Sequence, residues 1–404
     1  RQEREARRIL RAASVFGETL WRGGVAALLG GHAGDVDVAA WLDALSDREV
    51  LTRTGGTRFA GEVEYRFRHG LLREAAYATL TDADRTTAHR LAAEWLERAG
   101  EPDALVVAEH FEHGGEPARA IPWLLKAAIA AYDGHAWQAA RALVERGVGY
   151  GASGELLGQL RRLQASTAIV IADWPVVAER SRSALALLPE LSPLRIRTAG
   201  IAMLAETFIG EHEAAASRAR ELVASSGALT QTLHTGTGLG GACLASAMLG
   251  RVDLVATLLE AFERSAEDPS LDAWRHTVRR LASWLGARAH TVEDADTAEL
   301  LAFYDRTGDA NGQVFTGLFE ALLEGEAAGD HTHAAFEVPL RVAERAQHLG
   351  FQDVIALGRA LSQMIALAEA AALATARAIR QTTWFRVHHV HAGVHLRRGE
   401  LDLA

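Results

Sequence analysis

Apolar residues recur every three or four positions through most of the 404-residue chain, which is the helical period. Between Glu5 and about Gly30 two such patterns follow one another. Ile9, Leu10, Ala13 and Val15 share one face, and Leu20, Val25, Leu28 and Leu29 share the next. A third runs from Val36 to Leu45, where Val38, Trp41 and Leu45 fall at helical spacing behind Asp35 as a candidate cap. The period then changes to two. Val50-Leu-Thr-Arg-Thr reaches a Gly55-Gly56 turn, and Val63, Tyr65 and Phe67 alternate with Glu62, Glu64, Arg66 and Arg68, the pattern of a half-buried strand. Three short helices followed by a two-stranded hairpin predict a winged helix.

From Leu71 the helical period returns and continues to the end of the chain. Punctuation falls near Gly114, Gly134, Asp173, Pro189, Gly210, Gly227, Gly250, Pro269, His290, Gly308, Gly329 and Gly350. Segments of about 15 to 22 residues between breaks fit stacked antiparallel helix pairs, with a pair period slightly above the roughly 34 of a tetratricopeptide repeat (TPR). Ala127-Ala128, Ala130-Ala131 and Ala139-Ala140 are small enough for helices to approach closely there. Gly210-Glu-His-Glu-Ala-Ala, Gly250-Arg-Val-Asp-Leu-Val-Ala and Gly399-Glu-Leu-Asp-Leu-Ala have the form of one recurrent repeat junction. The expected fold is therefore mainly α. A winged-helix-like domain with linking helices covers residues 1–98, and an α-solenoid of TPR-like helix pairs covers 99–404, truncated at its C-terminus.

Composition narrows the function. The 42 basic residues include one lysine, Lys126, which lies in Trp123-Leu-Leu-Lys-Ala-Ala-Ile and follows neither a glycine-rich turn nor a strand. A P-loop and a protein kinase each need a lysine in such a setting, so this chain is expected to be neither ATPase nor kinase, and no enzyme by itself. The lone Cys243 forms no internal disulfide, no apolar run reaches the roughly 18 residues of a membrane span, and the charged opening Arg1-Gln-Glu-Arg-Glu-Ala-Arg-Arg is no signal peptide. A cytoplasmic setting follows, with no membrane partner. The opening also lacks Met and is already helical in pattern, as in a fragment of a longer protein.

Three runs carry a family resemblance. Tyr65-Arg-Phe-Arg-His-Gly-Leu-Leu-Arg-Glu-Ala-Ala-Tyr-Ala-Thr-Leu, continued by Arg85 and His89-Arg-Leu-Ala-Ala-Glu-Trp-Leu-Glu, resembles the link between winged helix and repeats in bacterial STAND signalling ATPases. Arg8-Ile-Leu-Arg-Ala-Ala-Ser-Val-Phe-Gly and the run from His110 to Ala128 are similar to the same proteins, in particular those that join a serine/threonine kinase to an AAA-type ATPase. The likeness covers residues 1 to about 165 and is generic beyond. It implies upstream ATPase and kinase domains in cis, which would bind ATP or ADP, with no cofactor in this chain. It also implies a repeat array that senses a protein or peptide ligand, and a winged helix that relays this to the nucleotide-binding domain. His69 resembles the histidine of the Met-His-Asp motif that touches the bound ADP phosphate, with Arg68 and Gly70 standing where the family has Met and Asp; the alternative is a structural histidine capping the hairpin–helix junction. Arg73, Glu74, Tyr77, Arg85 and His89 are expected to fix the geometry of that junction.

Other constellations read more simply. Gly236-Thr-Gly-Leu-Gly-Gly241 has the spacing of a dinucleotide-binding turn but no preceding strand, so close helix packing or a kink is expected. His388, His391 and His395 share a helix face beside His389, without a cysteine or nearby acid to complete a zinc set; His110 and His113 with Glu109 and Glu112 form a similar pair, also read without metal. Glu293, Asp294 and Asp296 suit a helix's first turn, and Ser153 has no nucleophile-elbow spacing. The alternative function is DNA binding through the winged helix as a transcriptional regulator. Its reading helix would carry Asp35, Asp37 and Asp43 with no Arg or Lys from Val36 to Leu45, in a chain of net charge −10, so no nucleic-acid partner is expected.

Overall fold

Of the first apolar stripe, Ile9 and Ala13 enter a buried core beside Ala12, Leu10 packs against it partly buried, and Val15 lies past the helix end, where Gly17 at a φ of +97° turns the chain into a strand. The computed structural model describes residues 2–30, 37–134, 136–169, 171, 173–230, 232–249 and 251–264. The expected features at Asp35, Val36, Gly250, Pro269, His290, Glu293, Asp294, Asp296, Gly308, Gly329, Gly350, His388, His389, His391, His395 and Gly399 lie outside the described residues.

The chain divides into two compact units, Arg1–Ala152 and Ser153–Ala404; the sequence boundary at residues 98 and 99 lies inside the first. That unit opens with α1 (Gln2–Ser14), β1 (Thr19–Trp21), α2 (Arg22–Leu28), α3 (Val38–Asp47), β2 (Leu51–Arg53), β3 (Glu64–Phe67) and α4 (Gly70–Ala78). The strands form one antiparallel sheet in the order β1-β3-β2, in which Leu20 faces Tyr65 and Leu51 faces Phe67. Alternation along β3 works as expected: Tyr65 and Phe67 enter the core with Leu20, Val25, Leu42 and Leu51, while Arg66 is exposed.

Two features differ from the sequence reading. Leu20 lies in a strand and not on a helix face, because three residues are too few to display a period of two. The cap of α3 is Asp37, whose carboxylate accepts from Ala40 N at 3.0 Å.

Helices fill the rest of this unit: α5 (Asp82–Ala99), α6 (Ala104–His113), α7 (Pro117–Asp133) and α8 (Trp137–Gly149). Left-handed Gly100 ends α5, a break absent from the sequence punctuation. Of the alanine pairs, Ala127, Ala128 and Ala140 are buried, whereas Ala130 and Ala139 are exposed, because one face of each helix meets a neighbour.

The second unit continues with α9 (Gly154–Ile169), α10 (Trp174–Leu185), α11 (Pro193–Phe208), α12 (His212–Ser225), α13 (Leu233–Met248) and α14 (Val252–Arg264). Long and short helices alternate from α5 onward. The long ones begin at 82, 117, 154, 193 and 233, spacings of 35, 37, 39 and 40 residues. A unit that recurs at this interval is a helical-repeat pattern, in which each pair is covered by its neighbours. Ile196, Met203, Leu222, Cys243, Leu258 and Phe262 share one core across α11 to α14.

Glycine sets the closest approach. A Cβ on Gly200 of α11 would lie 2.1 Å from the Gly238 carbonyl oxygen, and one on Gly238 would lie 2.3 Å from that of Ile196. The Gly236–Gly241 run is therefore helix, and its glycines let two backbones touch. Among the described residues no helix is long and apolar enough to cross a membrane.

Candidate functional site

β3 leads directly into α4, and His69 stands between them as the N-cap residue, with extended backbone (φ −132°, ψ 124°). Its side chain makes no cap hydrogen bond and is exposed. The helix that follows buries none of its residues. Leu71 is 79% exposed and Leu72 42%, so a helix held by α1 and β3 presents leucines outward next to the histidine. Beside them, Arg68 reaches Glu49 at 3.0 Å and Arg66 reaches Glu18 at 2.6 Å. Exposed leucines at this density are where a partner would gain most from burial, at about 25 cal/mol per Å² of apolar surface covered.

Of the residues expected to shape this junction, the structure brings Tyr77, Arg85 and His89 together. Tyr77 Oη lies 2.8 Å from His89 Nε2, and the Arg85 guanidinium lies over the Tyr77 ring at 5.0 Å. Arg73 and Glu74 form an ion pair with each other, at 3.6 Å, away from that group. His89 extends the contact to His110, Nδ1 to Nδ1 at 3.0 Å, while the exposed His113 ring sits 5.0 Å from the His89 ring. Burial holds both inner imidazoles neutral: His89 is pushed down to about 4 and His110 to about 3, with neighbouring positive charge adding to the effect. The sequence spacing had paired His110 with His113. The fold instead pairs His110 with His89, Glu112 with Arg146 of α8, and leaves Glu109 exposed. No group of three or more His, Cys, Asp or Glu placed to hold a metal occurs among the described residues.

A second cluster joins the hairpin to the helices, and sequence reasoning missed it. The loop between β2 and β3 folds back, so that Phe59 is buried against Trp21 and against Trp95 of α5, with ring centroids 4.8 and 5.3 Å apart. Next to it Arg58 Nη1 donates to both oxygens of Glu101, at 2.8 and 2.9 Å. Glu64 holds the base of the loop, accepting from Trp21 Nε1 at 3.0 Å and from Arg58 N at 3.2 Å. The only signal in the sequence was an arginine and an aromatic inside a glycine-bounded turn, which any surface loop can carry.

This arrangement bears on nucleic acid. Reading DNA through this hairpin would need a free basic tip, and here Arg58 is tied to a carboxylate and Phe59 is buried. α3 is no better suited, since Asp43 accepts from Tyr65 Oη at 2.8 Å and Asp37 is a cap.

In the second unit, the wholly buried Glu206 of α11 accepts from Arg218 Nη2 of α12 at 2.8 Å and from Arg182 Nε of α10 at 3.3 Å, which fastens three helices together. Trp174 and Phe208 stack at 4.3 Å, and the partly exposed Phe208 forms an aromatic ledge there. Burial pushes the Cys243 thiol far up, so it is a core residue without nucleophilic character. Ser153 accepts a helix-start hydrogen bond from Leu157 N through its carbonyl.

Comparison with known families, characterised proteins and solved structures finds no significant match. Function therefore rests on the geometry itself.

Proposed function

We propose that this chain is a non-catalytic regulatory and protein-interaction region of a multidomain signalling ATPase or protein kinase. In this reading the first seven elements are a winged helix, and the helices after them are TPR-like repeats that sense a protein or peptide. The winged helix relays that event to a nucleotide-binding domain upstream.

The observation that carries the reading is the face formed by His69, Leu71 and Leu72, unused by the fold and set at the end of the sheet. Support for the winged helix comes from the order of helices and strands together with the sheet order β1-β3-β2. The alternation of long and short helices at intervals of 35 to 40 residues supports repeats. In such a relay His69 would reach a nucleotide phosphate held by the upstream domain. The relay is a coupling between two sites, so ligand on the array and nucleotide upstream must each shift the affinity for the other.

The test is association of this chain with the protein region encoded before Arg1, with ADP and with ATP. The expected result is binding that depends on the nucleotide, is lost in Leu71→Asp and is weakened in His69→Ala. Equal binding by Leu71→Asp, or an upstream region that binds no nucleotide, would overturn the proposal. The DNA-binding alternative predicts duplex affinity that falls steeply with salt; the committed Arg58 and acidic α3 argue against it.

A further inference from the structure

Two histidines are buried side by side between α5 and α6, next to Tyr77 of α4, and the proposed relay makes no use of them. Each is 8% exposed. We propose that His89 and His110 form an acid-sensitive latch that holds α5 against α6 while both rings are neutral and opens when they take up protons, with Tyr77 of α4 fixing the His89 ring.

Hydrogen-bond accounting comes first. With the two Nδ1 atoms 3.0 Å apart, one must carry the hydrogen and the other must accept it. Two arrangements satisfy this. In one, Tyr77 donates to His89 Nε2 and His89 Nδ1 donates to His110. In the other, His110 donates to His89, and His89 Nε2 donates to the Tyr77 oxygen. A first added proton can sit on His89 with both contacts kept, but it is then a buried charge. A second proton sets two N–H groups head to head, and the contact breaks.

Among the described residues, none provides an anion for that charge. The groups whose charge bears on the pair are Arg85 of α5 and His113 of α6, and both disfavour a cation. Carboxylates on the neighbouring elements are committed or point to solvent. Glu112 of α6 holds Arg146 of α8; Glu94 of α5 holds Arg90 of the same helix and Arg119 of α7; Asp82 faces Arg85. On α4 Glu74 meets Arg73, on α1 Glu3 and Glu5 meet Arg7 and Arg8, and α2 has no acid. Arg11 of α1 is itself bound to Thr79, just past the end of α4.

The sign follows from the direction of the shifts. Released histidines take up protons as pH falls below about 6.5, and the latched ones only near 4 and 3. The closed state therefore keeps its full advantage near neutral pH and loses it between about 6.5 and 3. Opening should rise at least about tenfold per histidine from pH 7 to pH 5.

The experiment is hydrogen exchange of the whole chain at pH 7 and pH 5, corrected for intrinsic rates, read in peptides covering α4 to α6. Wild type is compared with His89→Gln/His110→Gln, which keeps polar side chains that cannot be charged. The expected result is a loss of protection of at least about tenfold at pH 5 in wild type and little change in the variant. Protection independent of pH in wild type, or equal loss in both, would overturn the latch. NMR titration of the wild-type imidazoles keeps the proposal testable should the variant not fold. His89 and His110 must remain neutral at pH 5 where the fold is intact, and titration of both near 6.5 would refute it. No upstream domain enters either experiment, so failure of the latch and failure of the relay are read separately.

Discussion

Arg58 and Glu101, 43 positions apart, form a two-pronged ion pair between the hairpin loop and the turn joining α5 to α6. The Glu101 side chain is wholly buried, whereas Arg58 is about half exposed. Glu101 also accepts from Asp103 N at 3.0 Å. Removing the arginine leaves a buried carboxylate with one neutral donor. Arg58→Ala should therefore destabilise the first unit by about 2–3 kcal/mol, below the full cost of breaking a buried pair because water reaches the guanidinium. Urea unfolding followed by Trp21 and Trp95 fluorescence would measure it, and a change under about 0.5 kcal/mol would mean that the aromatic contacts alone hold the hairpin.

A second prediction concerns alkaline pH. Burial, with the Asp43 carboxylate accepting its hydrogen bond, pushes the Tyr65 hydroxyl up to about 12. An unfolded tyrosine ionises near 10, so folding is fully supported below that value and weakens as pH rises from 10 to 12. The loss should reach about 1 kcal/mol at pH 11 and be absent in Tyr65→Phe, as read from denaturation midpoints across that range.

Gly200→Ala should separate α11 from α13. Its new Cβ would fall 2.1 Å from a backbone oxygen that cannot swing aside, whereas one on Gly241 meets its nearest atoms at 3.4 Å. The expected cost is about 2–3 kcal/mol or more for Gly200→Ala. Gly241→Ala should be close to neutral, since helix propensity offsets mild crowding. Equal melting of the two variants would contradict the close approach.

Leu258 is fully buried near the middle of α14. Leu258→Pro removes a helical hydrogen bond and clashes with the preceding turn, a loss of about 3 kcal/mol or more. In a stacked array the damage spreads to neighbours, so exchange protection should fall in α12 and α13 as well as in α14. Unchanged circular dichroism and melting would count against stacked helix pairs.

The position of His69 was legible because a change of period from two to 3.6 marks a strand-to-helix junction, wherever the rest of the chain goes. Its exposure beside Leu71 and Leu72 was not, since a leucine on a helix is ordinarily read as core. The His89–His110 contact was equally hidden. His110 and His113 are neighbours on α6 by spacing, yet α5 delivers a histidine from 21 residues away to the first of them and leaves the second in solvent. Strand β1 was missed for want of length, and it is the strand that places Trp21 beneath Phe59.

By itself the sequence determined the local periods: helices α1 and α3, the helical run after Leu71 without its breaks at Gly100 and Gly151, the alternation of β3, the absence of a P-loop or kinase lysine, and the interval at which helix pairs recur. Those properties depend on residues a few positions apart, where backbone geometry alone decides which side chains share a face. Only the tertiary structure decided that the hairpin tip is a joint, that two histidines are buried together, and that the glycines of α13 serve contact with α11. Each of these depends on a desolvated contact between residues distant in the chain, and its energy exists only once packing has excluded water from both partners.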